Sequence, residues 1–395
     1  MKKHNVPNRF YSLDVLRGLA SLCVVLAHWG EFYGFNKAHT PPSANNPFLS
    51  VALTWFDRFG SSAVDLFFCI SGFVFFWLYA SSIYQAKISF TKFAFLRLSR
   101  LYPLHLLTLL LVVAIQLYSV NFHQGAIGNN DAHHFFLNLF LVSAWGLDNS
   151  LSFNIPAWSV SVEMFLYGLF FILCWFTPKK LSLLLLLALA GHFVVIKFNY
   201  LIGRGIESFY IGGCALVIYE HIKNSKNWLK LSGCLPIITL AMWCFMLFLT
   251  SGHPLASPFD TSDMMQNDMM QKLLTNSVTF IMFPMTVLSL VLIEAKNQSV
   301  AKKLASLGDI SYSTYLLHFP LQLILLNIWS TFALNPAWFY SISFIAAFFA
   351  ILILVSLLSY HYFEMPMQER LRKWFKQYQS NLHLLAYPTT VRPLR

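Results

Sequence analysis

Residues 9–34 read RFYSLDVLRGLASLCVVLAHWGEFYG, and the rest of the chain can be read outward from them. An arginine, Arg17, and a histidine, His28, interrupt an apolar run. Of the ten residues between them, all but Ser21 are apolar or glycine. At about 100° per residue, eleven helical steps bring the two side chains within about 20° of one another, about 16 Å apart along one face. Two polar groups on one stripe of a membrane helix read as the two ends of a site. Lys2, Lys3 and Arg9 precede the run as they would in a signal peptide. The run is nevertheless too long and too polar for one, and it lacks a small-x-small cleavage site, so a retained helix is expected.

Composition sets the class. The 395 residues are 57% hydrophobic and 11% charged, against about 25% charged in soluble domains. Most apolar segments have the length needed to cross a hydrocarbon core of about 30 Å. The expected fold is all-α, a polytopic transmembrane helical bundle of about ten spanning helices plus a short re-entrant segment. The spans are placed at 10–34, 60–83, 101–120, 158–177, 181–198, 206–222, 232–251, 273–293, 308–329 and 338–361. Residues 135–147 are apolar but too short to cross. Two regions follow, a transmembrane domain over 1–363 and a basic tail over 364–395. No repeat of 20–50 residues is evident.

The net charge of +11 would suggest nucleic acid in a soluble protein. Here it is read through the positive-inside rule. With the N-terminus inside, 21 Lys and Arg residues fall on one side and five (Lys37, Arg58, Lys197, Arg204 and Lys272) on the other. Both termini are then expected in the cytoplasm, the partner is a lipid bilayer, and nucleic acid is excluded. The six cysteines, Cys23, Cys69, Cys174, Cys214, Cys234 and Cys244, lie in apolar segments without a CxxC pair. They are expected as small buried hydrophobes rather than a disulfide framework.

Ionisable groups are costly in a bilayer, which makes each a functional candidate. Arg17 could instead snorkel to the interface beside Asp14, and His28 could satisfy an interhelical hydrogen bond. Asp65 and Glu163 are expected at a depth similar to that of His28. A histidine beside a carboxylate has the parts of a general base and its orienting partner; a buried structural cluster is the other reading. His318 falls near mid-membrane, where it could line the same cavity or serve packing. His105 is read as structural, and His192 and His361 have nothing beside them in sequence. No HExxH-like spacing exists, so no metal is expected. Arg97 and Arg100, three apart at one end of the third span, suit phosphate binding or topology alone.

Seven stretches, in order, resemble the acyltransferase-3 family of integral membrane acyltransferases. They are SLDVLRGLASLCVVLAHW, AVDLFFCISGFVF, RLSRLYPL, IPAWSVSVEMFLY, RGIESFYIGGCAL, GDISYSTYLLHFPL and FEMPMQERL, which lie within residues 10–371. The sequence departs from the family pattern in two places. Leu96 stands where a first arginine often precedes Arg97, and Met164 stands where a second acid often follows Glu163. The esterase-like SGNH domain attached to some members is not present, so a stand-alone member is expected.

The resemblance implies transfer of an acyl group, most often acetyl, from acetyl-CoA or another acyl-CoA. The acceptor would be a hydroxyl of a carbohydrate or lipid-linked carbohydrate of the cell envelope. It implies His28 as the catalytic residue with Arg17 its partner, and Glu163 and Asp65 as further motif acids. Arg97, Arg100 and Arg17 would meet the donor, and Trp158, Ser161 and His318 the substrate. The bacterial inner membrane is the expected location. A proton-coupled transporter or exporter is the alternative, since such carriers also bury His, Asp and Glu. No inverted repeat or pair of broken helices supports it.

Overall fold

The computed structural model describes residues 9–34, 52–53, 55–56, 59–122, 129–148, 150–177, 179–250, 274–296 and 299–386. Lys2, Lys3, Lys37, Arg58 and Lys272, which entered the orientation argument, lie outside the described residues. So does the end of the tail, 387–395. The regular structure is all helical, with no strand among the described residues. It is an integral membrane protein. Among the described residues, eight helices are long and apolar enough to cross a bilayer. The principal helices are α1 (Tyr11–Ala27), α2 (Ala63–Leu78), α3 (Phe90–Phe122), α4 (Ala132–Leu139), α5 (Trp158–Phe176) and α6 (Leu181–Lys197). They continue with α7 (Tyr200–Asn224), α8 (Trp228–Thr250), α9 (Phe283–Lys296), α10 (Ser311–Thr331), α11 (Ile342–Ser359) and α12 (Met365–Ala386).

Two of the ten expected spans fall outside the eight. Helix α6 has 17 residues and reaches only about 25 Å. Helix α10 is long enough, at 21 residues, but too polar. Its Ser311, Ser313, Thr314, His318 and Gln322 are all buried, because it faces protein rather than lipid. The segment 135–147 does not cross: α4 has eight residues, about 12 Å of rise, and left-handed Leu141 (φ 59°) and Gly146 (φ 82°) turn the chain back. The third span also begins earlier than expected. Arg97 and Arg100, which precede the expected start at 101, lie within the first turns of α3, a helix of 33 residues that runs through Pro103.

Helix α7 is the axis of the bundle and packs against α2, α5, α6, α8 and α9. Its glycines let the backbones close in. A Cβ on Gly72 of α2 would lie 1.8 Å from the Phe209 carbonyl oxygen, and one on Gly212 of α7 would lie 1.9 Å from that of Cys69. Small residues serve membrane helices in this way, since lipid gives apolar side chains no preference for protein. The same crossing holds an ion pair. Arg204 of α7 forks onto Asp65 of α2, with Nε donating to Oδ1 at 3.0 Å and Nη2 to Oδ2 at 2.9 Å. Arg204 therefore belongs inside the bundle and not on the loop where the orientation count placed it. Helix α8 is a rim element, 6% buried along its apolar window against 78% for α7. That explains why its Cys234 and Cys244 are exposed, contrary to the expectation of six buried cysteines.

Helix α1 is fixed at both ends. Its first turn has no side-chain cap of its own. Glu294 of α9 takes that role, accepting from the backbone N–H of Tyr11 at 2.8 Å, from that of Ser12 at 2.8 Å, and from the Ser12 hydroxyl. A carboxylate there satisfies unpaired N–H groups and complements the helix dipole. Arg9 bonds Asp14 and, at 2.6 Å, Asp309, so Asp14 serves Arg9 rather than Arg17. At the far end Trp29 donates to the Phe339 carbonyl at 3.1 Å. Phe32 stacks on Phe339 with ring centres 4.7 Å apart.

The α4 region is clamped by His134, whose Nδ1 lies 2.7 Å from Asp131 and whose Nε2 lies 2.7 Å from the Ser150 hydroxyl, with Asp148 at 3.4 Å. Burial works against the imidazolium, yet the bonds to Asp131 and Asp148 outweigh it and raise the His134 pKa. Ser150, through its hydroxyl and amide, holds the Asp148 carboxyl at about 2.

Two outcomes follow. Gly72→Ala or Gly212→Ala will abolish the monodisperse, detergent-extracted protein, measured by size-exclusion chromatography, because backbone carbonyls cannot move aside. The charged part of the His134 clamp is fully present below about pH 6.5, the unfolded value, and is lost as pH rises through the raised folded value. The difference in unfolding temperature between the wild type and His134→Ala will therefore shrink as pH rises from 6 to 9.

Candidate active site

The helices enclose two connected cavities. The first, of about 190 Å³, is lined on α2 by Phe67, Ser71 and Phe75, on α5 by Ser159, Glu163 and Tyr167, and on α10 by Ser311, Tyr312 and Tyr315. The α2 and α5 sets each recur at four-residue spacing, one face of a helix. The second, of about 380 Å³, opens at the end of the bundle where α1 begins and α11 gives way to α12. Arg17, Arg97 and Arg100 line both. The chamber thus has a basic mouth, and Arg17 stands where mouth and chamber meet.

Arg97 is held differently from Arg100. Its guanidinium lies 5.0 Å from the Phe75 ring centre and 4.8 Å from that of Tyr79, and it donates to the Tyr79 hydroxyl. It is buried, and stacking fixes its direction. Arg100 is exposed. Among the described residues, neither Arg17 nor Arg100 has an ion pair.

Glu163 belongs to this chamber and does not orient His28. Its Oε1 accepts from Ser71 at 3.3 Å and from the Tyr167 hydroxyl. Asp65 does not orient His28 either, since Arg204 takes both its oxygens. Similar depth on three helices was the basis for grouping these acids with the histidine. The missing information was a counterion 139 positions away. Trp158 and Ser161 also turn from the chamber. Trp158 lies under Arg204, 5.5 Å from ring centre to guanidinium. Ser161 accepts from the Ala144 amide at 3.1 Å. Ser159 and Glu163, four residues apart, face the chamber; Ser161, two residues on, is turned about 200° away.

His28 lies one residue beyond α1, at the start of a tight turn over His28–Gly30. Its Nδ1 is 2.9 Å from the Val24 carbonyl oxygen. A carbonyl only accepts, so Nδ1 carries the proton and Nε2 the basic lone pair. The imidazole beside it is His318, with ring centres 5.1 Å apart. His318 is fully buried; its ring nitrogens make no hydrogen bond of good geometry among the described residues, and the backbone of Thr314 and Tyr315 faces the ring. The Tyr315 ring, 6.1 Å from that of His318, lines the chamber and stands between it and the imidazole pair, which lines neither cavity. The Tyr315 hydroxyl is fixed by Ser159 at 2.7 Å and by the Pro156 carbonyl at 2.8 Å.

Pro320 sharpens the local geometry. It lacks the N–H that would bond the Leu316 carbonyl, and Asn154 donates to that carbonyl instead, at 3.1 Å. Gln322 donates to the His28 carbonyl at 3.0 Å and leaves its own Oε1 without a partner among the described residues. His105 is structural as expected, 2.8 Å from the Asn138 carbonyl. His192 is not alone: its Nδ1 lies 3.2 Å from Glu207 of α7. No cluster of three or more metal-ligating side chains occurs among the described residues.

Comparison with known proteins adds the family. The profile described as "Acyltransferase domain" matches residues 10–360. "Acyltransferase MdmB" of Streptomyces mycarofaciens is 31% identical over 163 residues, 40% of this chain and 38% of that protein. "Protein 2 in picA locus" of Rhizobium radiobacter is 36% identical over 108 residues, 27% of this chain and 46% of that protein. The matched part thus spans less than half the length of either relative. No solved structure matches the chain. With a family match over nearly the whole bundle, the chain belongs to the acyltransferase-3 family.

Proposed function

We propose that the protein moves an acyl group, acetyl in the simplest case, from acyl-CoA to a hydroxyl of a cell-envelope carbohydrate or lipid-linked carbohydrate, with His28 at the reacting centre. The observation that carries this reading is the continuity of a basic mouth with a narrow chamber, behind whose Tyr315 wall the imidazole pair lies, lining neither cavity. The protein sits in the bacterial inner membrane with both termini in the cytoplasm, and the nucleotide phosphates meet the arginines of the mouth on that side. The thin, nearly neutral pantetheine arm passes Arg17 into the chamber. The thioester then approaches the ring of Tyr315 and the His28–His318 pair.

His28 Nε2 takes the proton of the acceptor hydroxyl, and the oxygen attacks the thioester carbonyl carbon. The C–S bond breaks as the C–O bond forms. The CoA thiolate leaves and receives the proton from the imidazolium, which returns His28 to its starting state. In the two-step form, Nε2 itself attacks the thioester carbonyl carbon, the C–S bond breaks and CoA leaves as the thiolate; the acceptor oxygen then attacks the acyl-imidazolium, the C–N bond breaks to restore neutral His28, and the hydroxyl proton passes to the thiolate. His318 supports either course. A buried imidazole whose nitrogens lack well-formed hydrogen bonds is costly, at about 1–3 kcal/mol, and an acceptor hydroxyl or a water between the two rings would satisfy it.

His28→Ala and Arg17→Ala will each lower transfer about a hundredfold or more, the scale of a lost acid–base group, with folded protein retained. Activity is read as CoA thiol released in the presence of acceptor; full activity in either variant overturns the assignment. His318→Leu will lower transfer without lowering the unfolding temperature, because it removes an unsatisfied polar group from a buried place. A stability loss that matches the activity loss would return His318 to packing. Intact-mass measurement after mixing with donor alone decides between the two courses: an acyl adduct present in the wild type and absent in His28→Ala marks the two-step form.

A further inference from the structure

Five arginines and three carboxylates line the mouth cavity. The carboxylates are all engaged within the protein. Asp14 and Asp309 bond Arg9, and Glu364 accepts from Ser313 and, at 3.1 Å, from Ser359. Arg97 is stacked among aromatic rings. That leaves Arg17 and Arg100, together with an arginine from beyond the last membrane helix, Arg372 of α12. Arg372 is exposed and has no ion pair among the described residues.

Helix α12 does not hang free as a tail. It continues α11 through a π-helical stretch at Tyr360–Glu364, an irregularity that often marks functional sites. It then lies along α3, where Phe375 stacks on Phe95 with ring centres 4.1 Å apart and planes 8° from parallel. Trp374 lies 6.1 Å from the same ring. Phe95 is two residues before Arg97, so this contact brings α12 beside the basic turns of α3. Met365, Gln368 and Arg372 recur at three- and four-residue spacing and line the mouth. One face of α12 therefore forms a wall of the cavity, with Gln368 and Arg372 as its hydrogen-bond donors.

We infer that α12 is part of the donor site, with Arg372 and Gln368 binding the phosphates of the CoA nucleotide opposite Arg100. The inference rests on the acyl-CoA reading above and adds a binding surface from a segment outside the membrane bundle. An arginine fork suits phosphate oxygens. Three unpaired guanidiniums around one cavity repel each other until an anion arrives, so binding a polyphosphate relieves that strain.

The test measures binding of CoA and of pantetheine, which lacks the nucleotide, to the purified full chain by calorimetry in neutral detergent. Arg372→Ala is expected to weaken CoA about ten- to hundredfold, the value of one charged hydrogen-bonding contact. Pantetheine affinity should stay within twofold, with Arg372→Lys intermediate for CoA. Raised salt should narrow the gap between wild type and Arg372→Ala. Unchanged CoA affinity in Arg372→Ala overturns the inference and leaves the acyl-CoA reading standing, as does equal weakening of CoA and pantetheine, which would mean only support of the bundle. A loss seen only when phosphatidylglycerol is added would assign Arg372 to lipid headgroups instead and likewise overturns it. A wild type that binds neither compound overturns both readings together.

Discussion

An arginine inside an apolar bundle is the constraint on which this structure turns. Arg17 lies two turns into α1 and has no carboxylate to itself, because Arg9 takes the nearby Asp14. A charge so placed needs polar space, and the chamber supplies it with Ser71, Glu163, Tyr167 and Tyr312. The same space opens to the mouth through Arg97 and Arg100. The height of Arg17 is in turn set by Glu294, which caps α1 from α9. Burial of one charge thus ties together the start of α1, the lining of three other helices and the basic end of the protein.

The bundle separates the polar groups that build the fold from those that line the cavities. Asp65 and Arg204 satisfy each other at the close crossing of α2 and α7. Removing one partner of such a pair strands a charge and costs about 3–5 kcal/mol. His318 and Gln322 are left with unpaired atoms beside His28, and unpaired buried polar atoms are rare enough to call for a ligand or water. Satisfied polar groups hold helices together here; among the described residues, unpaired atoms lie beside His28, and others lie elsewhere in the bundle, at His105, Ser208, Tyr210 and Tyr219.

Much of this was legible in the chain. Composition and segment length specify a helical membrane bundle, and the Arg17–His28 spacing picks out α1. Arg97 and Arg100 read as a basic end because three residues make nearly one helical turn. What could not be read depends on distance in sequence. Arg204 looked like a loop cation because its counterion lies 139 positions earlier, and with that pairing unseen Asp65 looked free to serve His28. Ser161 was grouped with Glu163 by motif, although helix geometry sends the two to different faces. Helix α10 reads as an ordinary span, yet its buried Ser, Thr, His and Gln show a helix enclosed by protein. The segment after 363 reads as a basic tail, and only the stacking of Phe375 on Phe95 reveals it as a wall of the mouth.

The central claim is a path, from the basic mouth past Arg17 to the imidazole pair. It is tested most directly with an acyl-CoA bearing a photoreactive group on the acyl chain, irradiated on the purified protein and mapped by peptide mass spectrometry. The path predicts labels on the chamber faces of α2, α5 and α10, at residues such as Phe67, Ser159 and Tyr315, that excess CoA suppresses. Labels confined to the rim helix α8, or unaffected by CoA, would contradict it.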